Sequence, residues 1–375
     1  MTEKVEFPLA NCELRSFVGE DARLYLSLEV VEIGSPVGDE LVVRVEGAPM
    51  NPSDLGSMLG GVSADAFRLT DNGGLVADIP EADFGRLSER VGQSIGVGLE
   101  GMGTVVAAGE LAQHLVGNVV AMVGGGMYTQ YRKINAGDCL ALPNGTSPED
   151  GAGAFVNPMT SLSLVETMRR DGHTALVHTA AASNLGQMLV KICKSDGVGL
   201  VNVVRSEAQV TLLKGLGAKY VCNSSSPTFD DELVAAIGET GATIAFDAVG
   251  GGDLASRILA AMERANTGKT PYSRYGSNVY KQVYFYGGLD TSPIVLRKNY
   301  GMAWGAGGWL LFPFLEKIGN EATAALKARV EREIYTTFAS EFGHSATIRE
   351  ILCPEKIRVA AARSTGSKFL IKPNL

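Results

Sequence analysis

The chain is poor in residues that bind metal or cross-link a fold. Its 375 residues include five cysteines and four histidines. Cys12, Cys139, Cys193, Cys222 and Cys353 are scattered without C-x-x-C spacing. A structural zinc lobe, which needs about four clustered thiolates, is therefore not expected. There is no H-E-x-x-H; His114, His173 and His344 read as loop or surface positions, and His178 as a satisfied core side chain. No metal is expected, and the unpaired thiols suit a reducing cytoplasm. No apolar run approaches the ~20 residues of a membrane span. The opening MTEKVEFPLA lacks a signal-peptide core, so no membrane partner is expected. A net charge of −8 argues against nucleic acid as a partner.

What is abundant is glycine, with 46 residues, against an ordinary background of 45% hydrophobic and 20% charged residues. This composition predicts a globular chain with many tight turns, and its length predicts two domains. Residues 1 to about 150 read as β-rich, with runs at Val42–Val45, Gly103–Ala108, Val119–Val123 and Tyr128–Ile134. From about 155 to 290, strand candidates at 175–179, 199–204, 219–222, 243–248 and 282–287 alternate with helical patterns, as in a parallel sheet. Residues 302–334 read as helical, and the tail as helix (356–362) then strand (368–371), returning to the first domain. Segments 62–95 and 266–281 read as polar insertions, more loop than element.

The stretch 175–205, ALVHTAAASNLGQMLVKICKSDGVGLVNVVR, carries the most chemistry. An apolar strand leads into a turn of small residues, Ala180 to Gly186. A helix follows, with Leu185, Met188, Leu189, Ile192 and Cys193 on one face. A helix start of this kind offers unpaired N–H groups to a pyrophosphate. The G-x-G-x-x-G pattern survives only at Gly186, its first two positions being alanine or serine. The second strand, 199–204, ends at Arg205, 19 residues beyond Gly186. An acidic residue there grips the ribose of NAD, whereas an arginine offers a fork of donors to a 2′-phosphate. The reading is NADPH, with Glu207 as the residue that would serve a ribose if the strand ended later.

Further segments resemble a family. EGAPMNPSDL (46–55) resembles an N-P-x-D signature, and LEGMGTVVAAG (99–109) a glycine-rich strand lacking the histidine of zinc alcohol dehydrogenases. GMYTQYRKI (126–134), FVNPMTSLSLVE (155–166), LLKGLGAKYV (212–221), IAFDAVGG (244–251), VYFYGGL (283–289) and RSTGSKFLIKP (363–373) follow in the family's order. The chain resembles a zinc-independent medium-chain dehydrogenase/reductase of the quinone oxidoreductase and enoyl-thioester reductase branch. The resemblance implies an α/β fold: a Rossmann-type doubly wound parallel sheet (156–318) and a β-rich GroES-like catalytic domain built from 1–155 and a return segment, 319–375. It implies NADPH as cofactor and a quinone or enone as hydride acceptor.

The same resemblance implies roles for individual residues. Asn51 would face the nicotinamide ribose, with Pro52 and Asp54 shaping its loop. Thr160 would bond the cofactor, and Ala181, Ser183, Asn184, Leu185 and Gly186 would form the pyrophosphate turn. Arg205 with Ser206 would take the 2′-phosphate, and Val249, Gly250, Tyr286, Gly287 and Gly288 would lie at the carboxyl edge. Arg363 would turn toward the cofactor. Enoyl-thioester reductases place a tyrosine after N-P-x-D, and NPSDLGSMLGGVSAD has none. Tyr128 is then the candidate for touching substrate. The competing readings are an enoyl-thioester reductase, for which Arg297-Lys298 is the only local basic pair, and a non-catalytic NADPH-binding scaffold. Segment 302–314 is apolar enough to serve a homodimer.

Overall fold

The computed structural model describes residues 5–269, 272–362 and 368–374. Backbone contacts divide the chain into two compact units, one of 1–156 with 329–375 and one of 157–328.

The first unit is antiparallel. Its central strand, Glu40–Pro49, pairs with Glu100–Ala108 on one side and with Tyr131–Asn135 and Phe369–Ile371 on the other. Leu370 lies opposite Pro49 and Ile371 opposite Ala48, so the tail does return to this unit. Met50 also donates its N–H to the Phe369 carbonyl. Two strands escape sequence reading, Leu9–Val18 and Arg23–Ile33, which pair antiparallel over ten residues. Asn11, Glu13 and Ser16 are buried along the first of them and break the alternation that marks a strand.

Segment 62–95 is not the loop it resembles in sequence. Leu75–Asp78 pairs with Arg23–Ile33, and Leu75 and Ala77 are fully buried. Arg90 donates to the Ser57 carbonyl and the Ser16 hydroxyl, tying the insertion to the end of helix Pro52–Leu59.

The second unit is a six-stranded parallel sheet. Its order is Tyr220–Asn223, Gly199–Val204, Ala175–His178, Ile244–Asp247, Lys281–Phe285 and Trp304–Gly308. The first strand in sequence is central, and the chain winds outward one way before crossing to the other. The switch point falls at the carboxyl ends of Ala175–His178 and Ile244–Asp247, where open sheets of this type bind ligands. The apolar face expected of helix Asn184–Asp196 is buried, with Leu185, Met188, Leu189, Ile192 and Cys193 all inside.

The reading of 302–334 as helix is corrected at its start. Trp304–Gly308 (WGAGG) is an edge strand in register with Lys281–Phe285, and the helix spans Leu311–Glu333 with a break at Gly319. Three glycines in five residues disfavour a helix, and the open sheet edge recruits the segment instead. Segment 266–281 ends in order: Lys281 is fully buried and paired with Glu263 at 2.7 Å, while residues 270–271 lie outside the described residues. Among the described residues no helix is long and apolar enough to cross a membrane.

Candidate functional site

In the second unit the carboxyl edge is built by Thr179 and Asp247. The Thr179 hydroxyl donates to the Asp247 carboxylate at 2.6 Å and accepts the Ala248 N–H at 2.9 Å. The same carboxylate accepts the N–H of Val249 at 2.9 Å and of Gly250 at 3.4 Å. Burial raises the pKa of Asp247 against these bonds. Sequence reading missed both residues, although an aspartate closing an apolar strand is a visible signal. They fix the loop that carries Val249 and Gly250. Gly250 has φ +74 and meets the next strand end so closely that a Cβ would lie 2.3 Å from the Gly287 carbonyl oxygen.

The turn after Ala175–His178 is equally tight. Ser183 caps helix Asn184–Asp196 by accepting the Gly186 N–H at 3.2 Å. A Cβ on Gly186 would stand 2.1 Å from the Ala181 carbonyl oxygen, so only glycine fits. Ala181 and Leu185 are buried, Asn184 is half-buried and Ser183 is exposed. Ala180 adopts φ 49, a left-handed conformation that costs an L-residue ~1–2 kcal/mol. The surviving glycine is the one the backbone demands. The strained residue of the turn is Ala180, one position before the pattern's first glycine site.

The second strand ends at Val204, with Arg205 next and exposed. Ser206 caps the following helix by accepting the Gln209 N–H at 3.4 Å. No carboxylate among the described residues lies within ion-pair distance of the Arg205 guanidinium. Glu207 is engaged elsewhere, accepting from the Asn223 amide at 2.6 Å. Thr160 is buried on helix Val156–Arg170.

Tyr286 is turned inward. Its hydroxyl bonds His178 Nε2 at 2.6 Å, and the two rings stack at 5.8 Å. Gly287 and Gly288, next to it, are exposed. Burial pushes His178 down to about 3 and Tyr286 up, so both stay neutral. His178 is a core residue whose Nδ1 has no partner among the described residues.

The first unit holds a buried polar cluster around Asn51, which precedes helix Pro52–Leu59. Its backbone N–H and that of Leu99 each donate to Asp54 at 2.7 Å. Its side-chain amide donates to Glu100 at 2.8 Å. The other Glu100 oxygen accepts the N–H groups of Phe155 at 3.2 Å and Val156 at 2.7 Å. Asp54 thus shapes the loop, and Glu100 is a hub that sequence reading did not single out. Burial drives Asp54 up to about 7 and raises Glu100, opposed in both by these bonds and by Lys368. Lys368 is itself lowered by burial, and its Nζ has no hydrogen-bond partner among the described residues.

Tyr128, expected at the substrate, is corrected to a core residue. It is 0% exposed, and its hydroxyl donates to the Pro49 carbonyl at 3.2 Å. Burial and the Asp54 carboxylate beside it raise its pKa well above that of a free phenol. Arg363 lies outside the described residues. Among the described residues no group of three or more His, Cys, Asp or Glu could hold a metal ion.

A six-stranded parallel sheet with its switch point at the carboxyl edge is a Rossmann-type doubly wound sheet, joined in one chain to an antiparallel unit. Residues 185–268 match the zinc-binding dehydrogenase family. A putative NADPH:quinone reductase from Mesorhizobium loti has the same fold, with a TM-score of 0.72 over 98% of this chain and 100% of that one at 24% identity. The mitochondrial enoyl-[acyl-carrier-protein] reductase of Rattus norvegicus is 25% identical over 211 residues, 54% of this chain and 50% of that protein. Squalestatin hexaketide synthase of a Phoma species is 29% identical over 41% of this chain. The matched segment is about half of the mitochondrial reductase and 6% of the synthase. This is the fold of the medium-chain dehydrogenase/reductases, and the chain resembles their quinone and enoyl reductase branch.

Proposed function

We propose that the chain is an NADPH-dependent oxidoreductase that delivers a hydride to a quinone or an α,β-unsaturated carbonyl, without zinc. The observation that carries the cofactor choice is the contrast between Arg205 and Glu207. Among the described residues the guanidinium at the strand end has no carboxylate partner, while the nearest candidate for a ribose is held by Asn223. A planar cation there suits a 2′-phosphate.

The small residues from Ala180 to Gly186 and the exposed glycines Gly287 and Gly288 suit a ligand that lies against bare backbone. When bound, the nicotinamide supplies the hydride. Ala181, Ser183, Asn184, Leu185 and Gly186 would hold the pyrophosphate, Arg205 and Ser206 the 2′-phosphate, and Val249, Gly250, Gly287 and Gly288 the edge. Tyr286 would act as a wall, since its phenol is engaged with His178. Thr160 and Asn51 would orient the cofactor, Asn51 being aimed by Glu100. Burial of Tyr128 takes away the candidate phenol donor, which favours an acceptor whose oxygen is protonated by water, as in a hydroquinone. The edge strand Trp304–Gly308, flanked by exposed Met302, Leu310 and Phe312, supports a homodimer.

The likeness to mitochondrial enoyl reductase supports a second reading, an enoyl thioester as acceptor. Fluorescence titration with NADPH and NADH, then NADPH oxidation with a quinone and with an enoyl-CoA, tests both. Quinone-dependent oxidation supports the first and thioester-dependent oxidation the second. Binding without turnover leaves a cofactor-binding scaffold, and no binding of either nucleotide rejects the assignment.

A further inference from the structure

The sheet of the second unit sets its strand ends in a row. Arg205 follows Gly199–Val204, the small-residue turn follows Ala175–His178, and Asp247 closes the next strand along, Ile244–Asp247. A dinucleotide with its 2′-phosphate at Arg205 and its pyrophosphate at the turn would carry its nicotinamide half on toward Asp247 and the end of Lys281–Phe285. That placement rests on the NADPH reading of Arg205.

Asp247 is 0% exposed, and among the described residues it has no cationic partner. Burying a charge without a counter-charge is costly, and the loop it holds needs little of that charge. The Thr179 hydroxyl and the Val249 N–H both donate to one carboxylate oxygen, Oδ1, at 2.6 and 2.9 Å. An amide oxygen, with two lone pairs, would accept both as well. Only the longer bond from Gly250, at 3.4 Å, falls on Oδ2. The three donors favour the charged form of the carboxyl. His178, on the neighbouring strand end, supplies no positive charge, because burial holds its pKa at about 3. The charge also acts along the edge: burial and, behind it, Asp247 raise the phenol of Tyr286 just beyond the next strand.

We propose that Asp247 sets the redox preference of the site, its uncompensated negative charge favouring the cationic nicotinamide of NADP⁺ over the neutral ring of NADPH. Loss of a hydride, two electrons with one proton, to the quinone or enone acceptor leaves the ring positively charged. A fixed carboxylate on that side of the sheet favours this charge and with it the transfer. Between unit charges about 10 Å apart in a protein, the interaction corresponds to roughly tenfold in affinity.

The test is calorimetric titration of the full chain with NADP⁺ and, separately, with NADPH, in the parent, Asp247→Asn and Thr179→Val. The parent is expected to bind NADP⁺ at least as tightly as NADPH. Asp247→Asn keeps an acceptor for Thr179 and Val249 and removes the charge, so the ratio of the two dissociation constants should move about tenfold toward NADPH. Thr179→Val removes the hydroxyl that braces the loop and keeps the charge. It should weaken both nucleotides alike and leave the ratio in place. Equal losses of both nucleotides in Asp247→Asn, or an unchanged ratio, make the carboxylate a loop anchor only and overturn the inference. A ratio that moves as far in Thr179→Val overturns it too. Should Asp247→Asn fail to fold, as read by its thermal melt, the parent decides: tighter binding of NADPH than of NADP⁺ overturns the inference. Binding of neither nucleotide to the parent rejects the cofactor reading and the inference with it, whereas an unchanged ratio leaves the cofactor reading standing.

Discussion

The side-chain amide of Asn51 donates to the buried Glu100 carboxylate at 2.8 Å, and that carboxylate also accepts two backbone N–H groups from Phe155 and Val156. A carboxylate accepts at both oxygens, and no neutral side chain of this shape does. Glu100→Gln turns an N–H₂ toward one set of donors and leaves Lys368 without its nearby carboxylate. Loss of such buried, charge-assisted bonds costs roughly 2–4 kcal/mol. Urea unfolding of Glu100→Gln, Lys368→Met and the double variant should give a coupling of at least about 1 kcal/mol. Strict additivity would mean that Lys368 does not balance Glu100.

Asp54 sets a pH dependence. Burial raises its folded pKa from 3.8 to about 7, so the folded state holds a proton that the unfolded state releases. A raised folded pKa stabilises fully below the unfolded value, and this contribution is lost as pH rises from about 4 to about 7. The contribution is on the order of 4 kcal/mol. Asp54→Asn is expected to lower stability at pH 4 and to flatten its decline toward pH 7 relative to the parent. Equal slopes in the two proteins over that range would assign Asp54 an ordinary pKa.

In the turn between Ala175–His178 and Asn184–Asp196, Ala180 and Gly186 should respond in opposite directions. Ala180→Gly relieves a left-handed alanine, worth ~1–2 kcal/mol, against the ~0.5–1 kcal/mol entropic cost of glycine. The net expectation is a small rise in Tm. Gly186→Ala puts a methyl 2.1 Å from the Ala181 carbonyl oxygen, so stability and nucleotide binding should both fall. Thermal melts with and without NADPH check both.

Arg205→Asp should reduce NADPH affinity about 10–100-fold, the loss of a charge-assisted phosphate contact of ~1.5–3 kcal/mol, and leave NADH unchanged or improved. Glu207→Gln should alter neither preference, because its carboxylate is engaged with Asn223. Fluorescence titration decides. A changed NADH affinity in Glu207→Gln would place the ribose there.

Lys281 and Glu263 form an ion pair with the lysine fully buried. Lys281→Met leaves Glu263 without its cation and should cost roughly 3–5 kcal/mol. Adding Glu263→Gln should recover part of that loss, as measured by chemical denaturation.

The inner parallel strands Ala175–His178, Gly199–Val204 and Ile244–Asp247 were legible in sequence because each is a largely apolar, buried run, and 199–204 is placed to the residue. The turn at Gly186 and the cation at Arg205 were legible for a related reason: a strand, a tight turn and a helix are encoded by neighbours. Leu9–Val18 was not, since its inward Asn11, Glu13 and Ser16 hide the alternation. Nor was Trp304–Gly308, which becomes a strand only because Lys281–Phe285 offers it an edge.

Periodicity is a property of consecutive residues, so the sequence alone determined the strand–turn–helix order and the place of Arg205 just beyond the second strand. The partners of Glu100, the inward turn of Tyr286, the burial of Tyr128 and the meeting of Thr179 with Asp247 were decided by tertiary structure. Each joins residues about 50 to 110 positions apart, or depends on what covers a side chain, and neither is written in local pattern.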